Sequence, residues 1–314
     1  MRFLRRLGQR LALGVGAAWV VMTAVFGLFT LTEDWVLNQR LGALKWAGTE
    51  EAALDRVRNQ YLAARGLDRP LWVQYGDWLG NMVTLEWGTS FRVGEPVLGL
   101  VVGAVGRTAA YVLPALALAV VAGVALGVYA ALRPAGRLPN LGITGSYLVF
   151  AVPNFWVGGM ALSLAAGGVI DPPALLFEHV LPVVLTATTL LGAVVSYARA
   201  HALEYASTDV IRLVRAKGAG PRRVAAHVLR NAAIPICSLV FTEALALLVL
   251  AVFVVEVLFG IEGFGLLLFR SVQERDLPVL LGGTLVVIAV GVLGNVVQDL
   301  SYGLLDPRVD TGDR

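Results

Sequence analysis

The sequence predicts an all-α polytopic membrane protein with six transmembrane helices. Three observations carry that reading. The chain has 314 residues, 57% hydrophobic and only 15% charged, with mean hydropathy +0.74. A soluble domain carries about 25% charged residues. The apolar residues gather in runs of about 20, the length that crosses a bilayer core. Arginines concentrate in alternate connections, as the positive-inside rule describes. The net charge of +3 is small and follows topology, so nucleic-acid binding is not indicated.

Arg2, Arg5, Arg6 and Arg10 precede the first apolar run, Leu11 to Leu31. A basic start followed by an apolar run resembles a signal peptide. The run is longer than a typical h-region, however, and no small-residue cleavage site follows, so it reads as span one. Trp19 lies inside it and faces either a neighbour or lipid. Residues 32–107 form the largest expected non-membrane region, with acidic and basic residues nearly balanced. Within it, Glu50 to Arg65 reads as a helix, with Ala53, Leu54, Val57, Tyr61 and Leu62 on one stripe. Leu67-Asp68-Arg69-Pro70 stops it. Trp72, Trp78 and Trp87 suit either a membrane interface or packing inside a small domain.

Thr108 to Leu132 is span two, with Gly123 and Gly127 forming a small-xxx-small face for close helix approach. Arg133, Pro134, Gly136, Arg137 and Pro139 make a basic turn. Leu141 to Ile170 is span three, expected to break at Pro153. A proline there frees a backbone carbonyl and bends the helix, which suits either a transport path or a packing kink. Asp171 to His179 is read as a short turn and Val180 to Tyr197 as span four. Ile234 to Gly260 is span five, Ile261 to Pro278 an external segment, and Val279 to Leu300 span six. Outside 32–107, a long region that the positive-inside rule does not count, the basic residues lie at the N-terminus, in the Arg133/Arg137 turn, in the stretch from Arg199 and near the C-terminus, and the short turns on the other face carry only Arg270 and Arg275. Both termini are therefore expected in the cytoplasm and 32–107 outside. The expected organisation is 1–31 (N-terminus and first helix), 32–107 (extracytoplasmic region) and 108–314 (a five-helix core).

The most informative stretch is Glu204 to Pro235, a strongly polar segment between two apolar runs. It reads as two short helices around a break. Ser207, Thr208 and Asp209 offer N-caps, and Val210, Ile211, Leu213 and Val214 recur at helical spacing. Gly218 and Gly220 stop the first helix. Pro221 is suited to the first position of the second, where its missing N–H costs nothing. Arg212, Arg215, Lys217, Arg222, Arg223 and Arg230 make the segment basic.

Arg215-Ala216-Lys217-Gly218, Arg222-Arg223-Val224 and His227-Val228-Leu229-Arg230-Asn231-Ala232-Ala233-Ile234-Pro235 resemble the cytoplasmic coupling loop of ABC-importer permeases of the dipeptide/oligopeptide/nickel type. Further resemblances follow in the family's order. They are Gly88-Thr89-Ser90-Phe91-Arg92-Val93-Gly94-Glu95-Pro96-Val97, the element Ala151-Val152-Pro153-Asn154-Phe155-Trp156-Val157-Gly158, Val255-Glu256 with Phe259 to Gly265, and Asp306-Pro307-Arg308. The resemblance covers about residues 70–310. The family's proline-glycine-aspartate-proline motif after span one is missing, and the 171–179 turn is shorter than usual.

The resemblance implies a type I-like permease fold in the plasma membrane. It also implies a second homologous permease, two ABC ATPase subunits that carry ATP and Mg, and an extracytoplasmic solute-binding protein. Residues Arg215, Ala216, Lys217, Gly218, Ala219, Gly220, Pro221, Arg222 and Arg223 would dock on an ATPase. Peptide is the default solute, with nickel or another small solute as alternatives.

No catalytic set is found in the sequence. It has no GxxxxGK[ST] phosphate loop, HExxH, CxxC or GxSxG. His179, His201 and His227 are dispersed, and Cys237 is the single cysteine. The chain reads as a non-enzymatic subunit with no cofactor of its own. Pro153, Asn154, Phe155 and Glu243 are candidates for the translocation path. Glu243 lies near mid-span, where a charge is costly and seldom faces lipid. It reads either as path-lining or as a protonated packing carboxyl. Glu243 or Asp299 would be the coupling group if the chain were a stand-alone secondary transporter or channel, but the internal repeats common among secondary transporters are not seen.

Overall fold

The computed structural model describes the backbone of residues 2–305, and the side chains of residue 8 and residues 12–232, 236 and 252–296. Among these residues the structure is helical, with one isolated bridge between Thr89 and Pro96 in place of a strand. Four helical stretches are long and apolar enough to cross a membrane: Ala12–Trp46, Val97–Leu132, Leu175–Ala206 and Leu277–Val296. Two bent pairs bring the number to six if each is one span. They are Arg137–Ala151 with Asn154–Ala166, bent by 75°, and Val252–Phe259 with Phe264–Gln273, bent by 82°. Five of these positions overlap the expected spans one, two, three, four and six; the second bent pair overlaps only the end of expected span five, and its second leg falls in the segment expected to be external. The helices form two compact units.

The first unit is Met1–Val105 with Leu266–Val290. It holds α1 (Arg2–Leu31), α2 (Trp35–Trp46), α3 (Glu51–Ala64), α4 (Leu71–Thr84), the start of α5 (Val97–Leu132), most of α11 (Phe264–Gln273) and the first part of α12 (Leu277–Leu305). Helix α3 forms where the sequence stripe places it. Trp78 is buried and stacks on Phe26 at 5.5 Å, and Trp87 is buried against Gly282, so both pack inside the unit. Trp72 is exposed. Trp19 donates to the Tyr75 hydroxyl at 2.9 Å.

A buried polar knot ties this unit together. Arg275, between α11 and α12, is 5% exposed and has φ +53°. Its guanidinium donates to the carbonyls of Phe29 (2.6 Å) and Glu33 (2.7 Å) and to the Thr32 hydroxyl (3.0 Å). It also lies over the rings of Phe29 and Trp35. A left-handed backbone costs a side chain about 1–2 kcal/mol, and this set of bonds offsets it. The next residue, Asp276, is 1% exposed. It accepts from the Ser90 hydroxyl and from the backbone N–H groups of Phe91 (3.1 Å) and Arg92 (3.2 Å). Ser90 Oγ in turn accepts from Arg92 N and Val93 N. The Gly88–Val97 motif is thus a tight turn closed on a carboxylate.

The second unit is Gly106–Gly265 with Gly291–Arg314. Its helices include the rest of α5, α6 (Arg137–Ala151), α7 (Asn154–Ala166), α8 (Leu181–Ala206), α9 (Asp209–Ala216) and α10 (Pro221–Phe259). Ala115 and Ala119 of α5 pack on Ala187, Leu190 and Val194 of α8. At the Gly123/Gly127 face α5 and α8 approach closely: a Cβ at Gly127 would sit 2.7 Å from the Cβ of Ala198.

Several boundaries differ from expectation, for local reasons. Helix α5 begins at Val97 rather than Thr108: the apolar run 97–106 contains no proline, its three glycines are tolerated within the helix, and Arg107 is carried along. The expected turn 171–179 is partly a π-helical segment, Leu175–Val180, which leads directly into α8. Helix α8 runs to Ala206, beyond the apolar residues that set the limit at Tyr197. The segment Ile261 to Pro278 contains a helix of its own, α11. The second helix of the 204–235 stretch is not short: α10 continues unbroken into span five. The side chains of Pro235, Cys237, Glu243 and Asp299, and residues 306–308, lie outside the described residues.

Candidate functional site

Helix α9 lies with its inner face in a core built from four helices. Ile211 is 1% exposed and packs with Val128 and Ala131 of α5, Ala202 of α8, and Val224 and Val228 of α10. Val214 and Ala219 flank this cluster. The outer face carries Val210 and Leu213, both exposed, among basic side chains. Thr208 holds the N-cap position with extended backbone, but its hydroxyl donates back to the Tyr205 carbonyl at 2.8 Å. Ser207 likewise donates to Glu204 O. Asp209 stands in the first turn and pairs with Arg212 at 3.1 Å on the surface, a contact of little energetic weight. The expected hydroxyl cap is therefore replaced by bonds to the preceding helix.

The break after α9 is a Schellman turn. Gly218 N donates to Arg215 O (2.9 Å) and Ala219 N to Val214 O (3.3 Å). Gly218 has φ +78°, which is why glycine stands there; no atom lies within 4 Å of where its Cβ would be. Pro221 then opens α10, with Gly220 as its N-cap. Arg215, Ala216, Lys217, Gly218, Gly220, Pro221, Arg222 and Arg223 are exposed, and Ala219 is half-buried. No carboxylate among the described residues pairs with Arg215, Lys217, Arg222 or Arg223. The arrangement is a basic, solvent-facing knuckle fixed to the ends of α5, α8 and α10.

Pro153 and Asn154 sit at the 75° bend between α6 and α7. Pro153 caps α7 with extended backbone. The Asn154 amide donates to the Leu185 carbonyl (2.6 Å) and to Thr189, and accepts from Thr188 Oγ1 (3.0 Å). Asn154 therefore locks the bend onto α8. Phe155 and Trp156, each 56% exposed, flank it. Gly158 lies against Leu258 of α10.

Glu256 was legible only as a letter in a motif, yet it is fully buried. It accepts from Thr108 Oγ1 (2.5 Å) and the Tyr111 hydroxyl (3.1 Å), both on α5. Thr108 Oγ1 also accepts from Phe264 N at 2.8 Å. A Cβ at Gly263 would fall on the Glu256 carboxylate. The Val255–Gly265 motif is thus the α10–α11 corner folded around one acid. The separation of α5 from this motif in sequence hides the pairing. The one available signal was an acidic residue at the end of an apolar run, followed by spaced glycines.

A family model described as binding-protein-dependent transport system inner membrane component matches residues 123–311. Similar proteins include the oligopeptide transport system permease protein AppB of Bacillus subtilis, 33% identical over 270 residues (81% of this chain and 85% of the relative). The dipeptide transport system permease protein DppB of Bacillus subtilis is 30% identical over 296 residues, 92% of each chain. DppB of Lactococcus lactis is 31% identical over 252 residues, 78% of this chain and 83% of the relative. With the family model spanning more than half of the sequence, and relatives matched along most of it, this chain belongs to the family of binding-protein-dependent transport system inner membrane components.

Proposed function

We propose that this chain is a permease subunit of an ATP-driven ABC importer of peptides, coupled to its ATPase subunits through the knuckle at Arg215 to Arg223. The observation that carries the coupling role is the mounting of α9: an exposed basic knuckle whose inner face shares one core with α5, α8 and α10. A push on such a knuckle moves three helices as a unit, because packed cores shift between discrete arrangements rather than deform. The names of the similar permeases support peptide as the solute class.

The working unit is this chain, a second permease, two ATPases that hold ATP and Mg, and an external solute-binding protein. Closure of the ATPases drives the knuckle, and the paired permeases alternate between outward and inward openings. Pro153, Asn154 and Phe155, at the α6–α7 bend, and Glu243 are assigned to the path. Both termini are assigned to the cytoplasm, and residues 32–107 to the outside.

Reconstitution of the complex in proteoliposomes tests this. Peptide uptake is expected to require ATP, with ATPase activity stimulated by peptide-loaded binding protein. Peptide uptake by this chain without ATP or ATPase subunits would overturn it. Topology is tested by labelling an Asp55→Cys variant in intact cells, where reaction only after permeabilisation would reverse the orientation.

A further inference from the structure

We propose that a cleft between the end of α3, α4 and the start of α12 binds a small monocarboxylate, with Arg65 holding the carboxylate and an apolar pocket taking the group beside it. The cleft has a volume of about 190 Å³ and belongs wholly to the first unit. That is room for about six waters at about 30 Å³ each, or for the carboxylate and side chain of one residue. Phe26 of α1, Met82 of α4, and Leu277 and Leu281 of α12 supply apolar lining. The charged lining residues are Arg65, Arg69 and Asp77. Arg69 and Asp77 pair with each other at 2.6 Å. Arg65 is the lining charge left over, so a single negative charge balances the cleft.

Arg65 is fixed in place without a hydrogen bond from its guanidinium. It is the C-cap of α3, in a Schellman turn closed by Leu67 N to Leu62 O (2.8 Å) and Gly66 N to Ala63 O (3.1 Å). A cation is favoured at that end of a helix. Its guanidinium carbon lies 3.7 Å from the centroid of the Tyr61 ring and 5.2 Å from that of Phe91. Both aromatic residues are anchored in turn: the Tyr61 hydroxyl donates to Asp34 (3.0 Å), and Phe91 N donates to Asp276 (3.1 Å). Among the described residues Arg65 has no carboxylate partner and no hydrogen-bond acceptor, and its Nε is buried. Trp78 and Trp87, 8% and 7% exposed, also line the cleft, and neither indole N–H has an acceptor.

Three donor-bearing side chains of one cleft therefore lack acceptors, while its own carboxylate, Asp77, is taken by Arg69. Buried polar groups are as a rule paired, and a set of donors without acceptors is complemented by a group that only accepts. An ionised carboxylate is such a group, and a guanidinium matches its two oxygens. An inorganic anion would satisfy Arg65 and leave the apolar lining unfilled. A neutral apolar molecule would leave Arg65 unpaired. Free small carboxylic acids and the C-terminal residue of a peptide share the chemistry that meets both needs. The inference rests on neither the orientation nor the solute class proposed above, and its test depends on neither transport nor ATP hydrolysis.

The assembled complex in nanodiscs is irradiated with N-acetyl-leucine carrying a diazirine in its side chain, and crosslinks are mapped by mass spectrometry. Labelling is expected in the stretches 65–91 and 277–281. Plain N-acetyl-leucine should displace the probe, and N-acetyl-leucinamide, which lacks the charge, should not. Arg65→Gln should lower labelling about tenfold, the loss expected for one hydrogen bond to a charged group. Arg65→Lys should keep part of it. Asn81→Trp, at an exposed lining position, should lower it by filling the cleft with Arg65 left in place. Arg56→Gln, on α3 but outside the cleft, should leave it unchanged. Stronger competition by leucyl-leucine than by 4-methylpentanoate would assign the site to a peptide C-terminus, the reverse order to a free acid, and equal competition to both. Equal displacement by the acid and its amide, or labelling unaffected by Arg65→Gln, would overturn the proposal. So would displacement of the probe by millimolar inorganic phosphate, which would mark a simple anion site. Labelling that vanishes when the solute-binding protein is added would assign the cleft to a protein partner and equally overturn it.

Discussion

The Arg275 guanidinium lies 3.6 Å from the Asp34 carboxylate, an ion pair rather than a direct hydrogen bond, with the two side chains 6% and 18% exposed. Asp34 also N-caps α2 through Leu37 N (3.0 Å) and accepts from the Tyr61 hydroxyl (3.0 Å). The end of α1, the start of α2, α3 and the α11–α12 corner therefore meet at one pair of charges. Removing one partner of a buried pair leaves the other uncompensated, at a cost of about 3 kcal/mol. Arg275→Met should accordingly lower the thermal midpoint of the purified protein by several degrees. Arg275→Lys should recover only part of the loss, because an ammonium cannot reach the Phe29, Thr32 and Glu33 acceptors together. A midpoint unchanged in Arg275→Met would remove the knot from the stabilising interactions.

Tyr61 supplies a pH-dependent readout of the same knot. Burial, and then its hydrogen bond to Asp34, push its phenol from 10.0 up to about 12. The folded state holds this proton more tightly than the unfolded chain does. The stabilisation is therefore fully present below pH 10 and lost as the pH rises from about 10 to 12. A spectrophotometric phenolate titration should show a late-titrating tyrosine that disappears in Tyr61→Phe. Identical titration curves for the two proteins would contradict it.

Gly263 and Glu256 form the second buried knot. A Cβ at position 263 collides with the Glu256 carboxylate, and overpacking of this kind costs about 1–3 kcal/mol. Gly263→Ala should destabilise the protein in the wild-type background and much less in a Glu256→Ala background. A double-mutant cycle of thermal stabilities measures the difference. Equal cost in both backgrounds would show that the collision is not the cause.

What was legible in the sequence was local. The apolar runs, the stripe on α3, the proline break at 153 and the Gly218–Pro221 break each depend on residues within one or two turns, and each has its structural counterpart. What was not legible depends on distance or continuity. Helix α10 crosses from basic to apolar sequence without interruption, and a reader guided by polarity divides it at Ile234. Arg275 reads as an ordinary loop charge, because its acceptors lie on the far side of the chain. Thr108 looks like the start of a span, whereas its hydroxyl is a partner of Glu256. Glu243 remains an assignment from the sequence alone, since its side chain lies outside the described residues.

The knuckle after α9 allows docking to be separated from backbone strain. Gly218 has φ +78° with open space around it, while Gly220 has φ −68° and equally open space. Within this chain a side chain at 218 meets no atom but must accept a left-handed backbone, which costs about 1–2 kcal/mol. One at 220 meets neither obstacle. Gly218→Ala should therefore weaken ATPase coupling about fivefold, Gly218→Asn should weaken it less because asparagine tolerates that backbone, and Gly220→Ala should be nearly silent. Gly218→Trp carries the same backbone strain as alanine, so any loss beyond the alanine value comes from a partner surface pressed against the knuckle. Under the proposed coupling role, Gly218→Trp should insert normally and lose most of the substrate-stimulated ATPase activity of the reconstituted complex. If it matches Gly218→Ala, the partner does not approach position 218, and the contact must be sought on Arg222 and Arg223 instead.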